Sequence, residues 1–198
     1  MAELFFTADW FLSEHNAEEM ITLHNESVGP ADTVWVLGGV QSRYVPAALE
    51  YVRKMNGRKY LIASSDDACW AGHGLSAKEL APVVALYREE AGFTQVVTGT
   101  AFAVHPNHRV PIRLPLGGGR GAVDAWPTAR SLESSIPEGG TDWRPCARAH
   151  GETQPWLIHG GLGDVISLQH REISVSADLW AGEPVHVDDL LALMDGDK

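Results

Sequence analysis

Several kinds of residue and spacing are scarce in this chain, and each scarcity removes a class of chemistry. Only two cysteines, Cys69 and Cys146, occur in 198 residues, with no CxxC spacing, so neither a zinc knuckle nor a disulfide framework is indicated. Buried free thiols in a reducing cytoplasm are the expectation. Positive charge is also thin: 15 Lys and Arg against 26 Asp and Glu give a formal net charge of −11. Nucleic-acid binding needs clustered Lys and Arg to neutralise phosphate, so no nucleic-acid partner is expected. A solvated acidic surface is the plain reading, though a basic partner is permitted. No apolar run approaches the roughly 18 residues of a membrane span and no charged-then-apolar leader opens the chain, so neither membrane nor export is expected. Nine histidines are present, yet none stands in the HxH or HxxxH spacing that puts two imidazoles on one cation.

What is present is the composition of a globular protein, 44% hydrophobic and 21% charged, with material for one sizeable core. The apolar run Leu4-Phe5-Phe6-Thr7 stops at Ala8-Asp9, a strand ending on a carboxylate. Ligands of open α/β sheets gather at the carboxyl ends of strands, so Asp9 stands where a site is built. Asn16-Ala17-Glu18-Glu19 reads as an N-cap with a glutamate three residues on, opening a helix that ends near Gly29-Pro30. Thr33 to Leu37 is a buried parallel strand in form, Tyr44 to Met55 a helix, and Lys59 to Ala63 a third strand. The order is β-α-β-α-β, with right-handed crossovers expected. Ser76-Ala77-Lys78-Glu79 is a capping box for a helix with Leu80, Val83, Val84, Tyr87 and Ala91 inward and Pro82 in its second turn.

Short strands follow at Gln95–Val97, Ala101–His105 and Arg109–Leu114, the pattern of a second sheet. From about 116 to 155 the periodicity fades into an irregular, insertion-like loop. Its Gly117-Gly118-Gly119-Arg120-Gly121 run has no Walker lysine or helix start, which favours a surface loop over a phosphate cradle. Strands resume at Trp156–His159, Val165–Leu168 and Glu172–Val175, and Pro184 to Met194 reads as a short helix capped at or near Asp188. No linker divides the chain, so one domain over 1–198 is expected.

With the strand ends located, four collinear pieces resemble the calcineurin-like metallophosphoesterases, in particular the small bacterial and phage type. They are FFTADWFLSEHN, VGPADTVWVLGGV, MNGRKYLIASSDD, and the closing stretch from WLIHGGLGDV onward. The resemblance implies a four-layer α-β-β-α sandwich of two mixed sheets. It also shows what has gone. The family's Asp-x-His keeps Asp9 but has Phe11 for the histidine, and the Gly-Asp whose carboxylate bridges two metal ions is Gly38-Gly39. Gly-Asn-His-Asp becomes Ser64-Ser65-Asp66-Asp67, and the single histidine of the fourth motif corresponds to Arg113 or a residue beside it. Gly-His-x-His becomes Gly160-Gly161-Leu162-Gly163, preceded by His159, which matches a histidine common in the family. Asp9 alone keeps its place as a ligand.

A dinuclear site needs several carboxylates and imidazoles to compensate the dehydration of its cations, and a bridging carboxylate between ions about 3.5–4 Å apart. Phe11 offers no lone pair, and glycines at 39, 161 and 163 leave room where ligands stood. No metal and no cofactor are therefore expected, and no catalytic residue is assigned. Asp67 is read as holding its turn through backbone hydrogen bonds, and Asp66 with Arg113 as an ion pair in place of the metals. A serine nucleophile at Ser64 or Ser65 lacks a paired general base.

The vestigial cleft thus comprises Asp9, Phe11, Gly39, Ser65, Asp66, Asp67, Arg113, His159, Gly161 and Gly163. The leading reading is a catalytically inactive, cytoplasmic scaffold that binds a protein or small ligand. It would use the old cleft, with Trp10, Phe11 and Trp70 at its rim, or an outer face near Trp126 and Trp143. The alternatives are an active phosphoesterase or phosphodiesterase with a rearranged or single-metal site, and an assembly role as a homo-oligomer.

Overall fold

The computed structural model describes residues 2–41, 45–98, 112–115, 122–126, 156–161, 165–167 and 171–195. Its strands are β1 (Leu4–Thr7), β2 (Thr33–Val36), β3 (Arg58–Ile62), β4 (Phe93–Val97), β5 (Ile112–Pro115), β6 (Ala122–Trp126), β7 (Leu157–His159), β8 (Ile166–Ser167), β9 (Glu172–Ser174) and β10 (Val185–His186). The helices are α1 (Ala17–Ser27), α2 (Val45–Arg53), α3 (Ala77–Glu89) and α4 (Val187–Asp195). They make a mixed α/β fold with two five-stranded sheets, ordered β10-β1-β2-β3-β4 and β5-β6-β7-β9-β8. In the first sheet β1 to β4 are parallel and β10 runs antiparallel beside β1. In the second, β6, β7 and β9 are parallel, flanked by antiparallel β5 and β8.

The first sheet is apolar on both faces, which is why its strands read as continuous hydrophobic runs rather than alternating ones. Phe5, Val34, Val36, Leu61 and Phe93 pack with Met20, Ile21, Leu49, Val52 and Tyr87 from the helices and with Met55 just after α2. Phe6, Leu37 and Ile62 pack instead with Ile158, Ile173 and Val175 of the second sheet and with Leu190 of α4. Complete burial of each such side chain contributes roughly 1.5–3 kcal/mol.

The helix-side core carries two cationic or potentially cationic groups. Lys59 is buried in β3 and its Nζ donates to the Met55 carbonyl at 2.6 Å; burial lowers its pKa to about 8. His24 is fully buried in α1, its Nε2 bonded to the Asn56 carbonyl at 3.0 Å and its ring edge-on to Trp10 at 5.7 Å.

Local expectations are met unevenly. α3 has the full capping box: the Ser76 hydroxyl accepts from the Glu79 amide, and the Glu79 carboxylate accepts from the Ser76 amide at 3.0 Å. α1 does not. Asn16 makes no side-chain cap; its Oδ1 accepts from the Ser13 amide at 2.8 Å and its Nδ2 donates to the Trp10 carbonyl at 3.2 Å. The side chain is turned back to fold the 10–16 loop, so the helix opens without it.

The stretch read as irregular contains β6, whose register with β7 supplies the neighbour that its own short sequence does not advertise. The first residues of the expected final helix form β10 instead, because Phe5 and Phe6 offer a free strand edge to His186 and Val185. The expected strand at 101–105, the glycine run at 117–121, Trp143, Cys146 and Gly163 lie outside the described residues. No helix among the described residues is long and apolar enough to cross a membrane.

Candidate functional site

The carboxyl ends of β1, β2 and β3 meet the end of β7 at the place the strand-end argument selected. The chain leaves β1 through two left-handed residues that are not glycine, Asp9 (φ 54°) and Phe11 (φ 41°). Such conformations cost about 1–3 kcal/mol each and persist only where surroundings impose them. The imposing contact is backbone to backbone. The Asp9, Phe11 and Leu12 amides donate to the carbonyls of Gly38, Gly39 and Val40 at 3.0, 2.8 and 3.1 Å.

Gly38 and Gly39 are themselves left-handed, and neither has space for a side chain. A Cβ on Gly38 would lie 2.4 Å from Ser64 Cβ, and one on Gly39 would lie 2.6 Å from both Cα and Oδ1 of Asp9. This corrects the expectation that glycine 39 leaves a void where a ligand once stood: the backbone and carboxylate of Asp9 fill it. A bridging carboxylate cannot be accommodated at that position without moving the 9–12 loop.

The next layer is held by Asp67, which is fully buried in the turn after β3. Its Oδ2 accepts from the amides of Ser64 (2.8 Å) and Gly39 (3.2 Å) and from the Ser64 hydroxyl (3.1 Å), while Oδ1 accepts from the Val40 amide (3.0 Å). Burial pushes the Asp67 carboxyl up to about 6, against the pull of these donors. The Ser64 hydroxyl is thereby accounted for: it donates to Asp67 and receives the Gly39 and Asp66 amides at 3.1 and 3.3 Å. That arrangement makes it a strut rather than a nucleophile.

Behind the turn, the Tyr87 hydroxyl donates to Gln41 Oε1 at 3.0 Å and accepts the Ala68 amide at 3.2 Å. Cys69 lies buried beside them as a free thiol, its pKa pushed up by burial and by the Asp67 charge.

Asp9 adds a polar link to the apolar packing between the two sheets, beside the Ala177 amide that donates to the Ala8 carbonyl at 2.9 Å. Asp9 is 9% exposed, and its Oδ2 accepts the Gly161 amide at 2.5 Å across 152 residues of sequence. The Gly161 carbonyl in turn receives the Ser174 hydroxyl at 2.9 Å. Burial raises the Asp9 pKa, with the charges of Asp66 and Asp178 adding to it. The Gly161 amide acts against the rise, as does the nearby Ser176 hydroxyl, which makes no hydrogen bond of full geometry. His159 is also buried; its Nδ1 bonds the Gly160 carbonyl at 2.6 Å and burial lowers its pKa.

The residues of the vestigial cleft therefore separate into two groups. Asp67 with Gly39 and Asp9 with Gly161 are hydrogen-bonded pairs brought into contact where Gly39 meets Asp9, and His159 is buried without a hydrogen bond to any of them, while Phe11, Ser65 and Asp66 stay at the surface, Phe11 with 38% of its area exposed. Arg113 lies in β5 in register with Asp124, and its side chain, with the ion pair expected for it, falls outside the described residues. Trp10 is not a rim residue. The left-handed turns on either side send it inward, to 1% exposure against His24. Sequence reasoning missed Ser174, Ser176 and Gln41, isolated polar residues with no motif to mark them, and placed Tyr87 inward without assigning its hydroxyl a role. Among the described residues no group of three or more His, Cys, Asp or Glu is placed to hold a metal ion.

No protein-family model matches the chain, and no curated protein matches it. Among solved structures, the protein of unknown function AQ665 from Aquifex aeolicus superposes on 98% of this chain and 100% of its own, with a TM-score of 0.61 at 16% identity. The phosphopantetheinyl hydrolase PptH from Mycobacterium tuberculosis matches 72% of this chain and 48% of its own, with a TM-score of 0.39 at 20% identity. The first likeness is one of fold alone, and the second is too slight to carry an argument.

Proposed function

We propose that this chain is a metallophosphoesterase-like scaffold in which backbone hydrogen bonds have taken the place of a dinuclear metal centre, and that it works by binding a protein or a small ligand. The observation that carries the reading is the fate of Asp9, the one ligand position retained: its carboxylate is bonded to the Gly161 amide at 2.5 Å and abuts Gly39. The Gly161 amide takes one acceptor site of Oδ2, and Oδ1 lies against the Gly39 backbone, so the approach a cation would use is crowded. The four-layer α-β-β-α arrangement belongs to the same proposal. It draws support from the helix-backed first sheet, whose other face packs on the second. A cytoplasmic location draws support from Cys69, a buried free thiol.

The test is metal content and turnover. Purified protein, dialysed against manganese and then freed of excess, is expected to retain substoichiometric metal by elemental analysis and to leave an aryl phosphodiester unhydrolysed. Stoichiometric metal, with turnover abolished by Asp9→Ala, would establish the active phosphoesterase reading instead.

A further inference from the structure

Unfavourable features concentrate on one short segment and on the side chain it packs against. Asp9 and Phe11 hold left-handed backbone without being glycine, and Trp10 between them is buried with its indole N–H unpartnered. The ring it meets edge-on is that of His24, whose Nδ1 is also buried and unpartnered. Strained backbone and unpaired buried polar groups each raise the energy of the closed form, which favours local opening at residues 9–11. The ties that hold the segment shut are few and specific. The Asp9 and Phe11 amides donate to the Gly38 and Gly39 carbonyls, Asn16 Nδ2 donates to the Trp10 carbonyl, and Asp9 Oδ2 receives the Gly161 amide.

The hydrogen bond on the other side of the His24 ring fixes its chemistry. Nε2 faces the Asn56 carbonyl, which can only accept, so the neutral ring carries its proton there and Nδ1 is a bare acceptor. A second proton must go to Nδ1, where nothing receives the new N–H. No carboxylate compensates the charge either. The charged group that acts on His24 is Lys59 of β3, a cation; the turn after α2 brings the Asn56 carbonyl and the 9–12 loop brings Trp10, while Glu18, Glu19 and Glu26 of α1 are exposed.

We propose that residues 9–11 form an acid-sensitive strap: protonation of His24 expels Trp10 from the core, and the same movement draws Asp9 away from Gly39 and from the Gly161 amide. The join between the two sheets is then loosened at the cleft. Trp10 is the wall of the His24 site that yields, because it alone is flanked by strained backbone, whereas Lys59 sits in a strand paired on both sides. Asp9 titrates in the opposite sense. Burial raises its pKa, so the closed strap favours its protonated form and resists opening as pH falls. The switch belongs to the fold and does not depend on what the cleft binds.

The experiment is native-state hydrogen exchange of the full chain by NMR at pH 7 and pH 4, corrected for intrinsic rates. The Trp10 indole N–H and the Asp9, Phe11 and Gly161 amides are expected to exchange through an opening of lower free energy than that of the β3 amides, and one insensitive to low urea. With His24 lowered from 6.5 to about 4, the open form is expected to gain about a hundred-fold in population between pH 7 and pH 4, relative to the change in His24→Gln. The variant isolates the histidine, since Asp9 is present in both proteins. Loss of protection only together with β3, or a pH dependence that survives intact in His24→Gln, would overturn the proposal. So would a Trp10 indole that keeps its protection while the amides lose theirs.

Discussion

Two groups of buried polar side chains flank the 9–12 loop, and they are built to different standards. At the strand ends, Asp67 accepts four hydrogen bonds and Ser64 completes three, so the carboxylate and the amides around it are nearly all provided for. On the helix side, His24 Nδ1 and the Trp10 indole N–H are buried, and neither has a hydrogen-bond partner. Buried polar atoms that are paired fix a structure, and unpaired ones tax it. The comparison says that the turn around Asp67 is tied down by its pairing, whereas the Ser176 hydroxyl beside Asp9 is not, and that the core under α1 is where stability can be titrated.

The strongest way to break that contrast is to add a single carbon at the strand ends. Gly39→Ala meets the backbone of Asp9 at 2.6 Å and requires a left-handed alanine, so it is expected to cost more than about 4 kcal/mol, measured by urea unfolding. Gly74→Ala is the control. That glycine is equally left-handed, but nothing lies within 4 Å of its Cβ position, so only the conformational cost of about 1 kcal/mol should remain.

Asp67→Ala should come next, at about 3–5 kcal/mol, because it strands the Ser64, Gly39 and Val40 amides in a dry turn.

The third probe is pH. Burial lowers His24 to about 4 from 6.5, with the Lys59 charge adding and the Asn56 carbonyl opposing. The unfolded chain therefore binds the proton more readily, and stability falls as pH drops from about 6.5 through 4, by on the order of 3 kcal/mol in full. Asp67, raised to about 6 from 3.8, acts in the opposite sense, since its protonated form is favoured in the folded state and stability is gained as pH falls across that interval. Replacing His24 with glutamine should flatten the acid-side loss, and Asp67→Asn should steepen it; parallel curves for the two variants would refute the assignment.

The smallest effect is expected from Asp9→Asn, within about 1 kcal/mol at neutral pH. Asparagine tolerates the left-handed backbone, keeps an acceptor for the Gly161 amide, and removes a charge that Asp66 and Asp178 oppose. A large loss would mean that the ionised form matters in a way the hydrogen bond does not explain.

The parallel half of the first sheet was legible because its signals are local: apolar runs of strand length, helical stripes between them, and the Ser76 capping box. β10 was not, because two residues carry no periodicity and owe their form to the edge of β1. The same limit governs the cleft. Asp67 was identifiable as a turn holder only through the family residue it matches, whereas the closed space around Gly39 depends on left-handed turns at Asp9 and Phe11. Those turns are set by carbonyls 28 and 29 residues away, which no window of sequence around them contains. The inward turn of Trp10 follows from the same contacts, and an indole at the rim was the natural but mistaken inference.

The partnership of residue 9 with residue 161 bears on the order of events during synthesis. β1 is made before the other elements of this fold, yet the carboxylate just beyond it waits for Gly161 and its outer edge waits for Val185 and His186. Parallel pairing of β1 with β2 and β3 can proceed early, but the join between sheets closes only after most of the chain has been made. Translation halted before residue 161 would leave a nascent chain whose Phe6 and Ile62 face is still uncovered, and such a chain would be a natural client for chaperones.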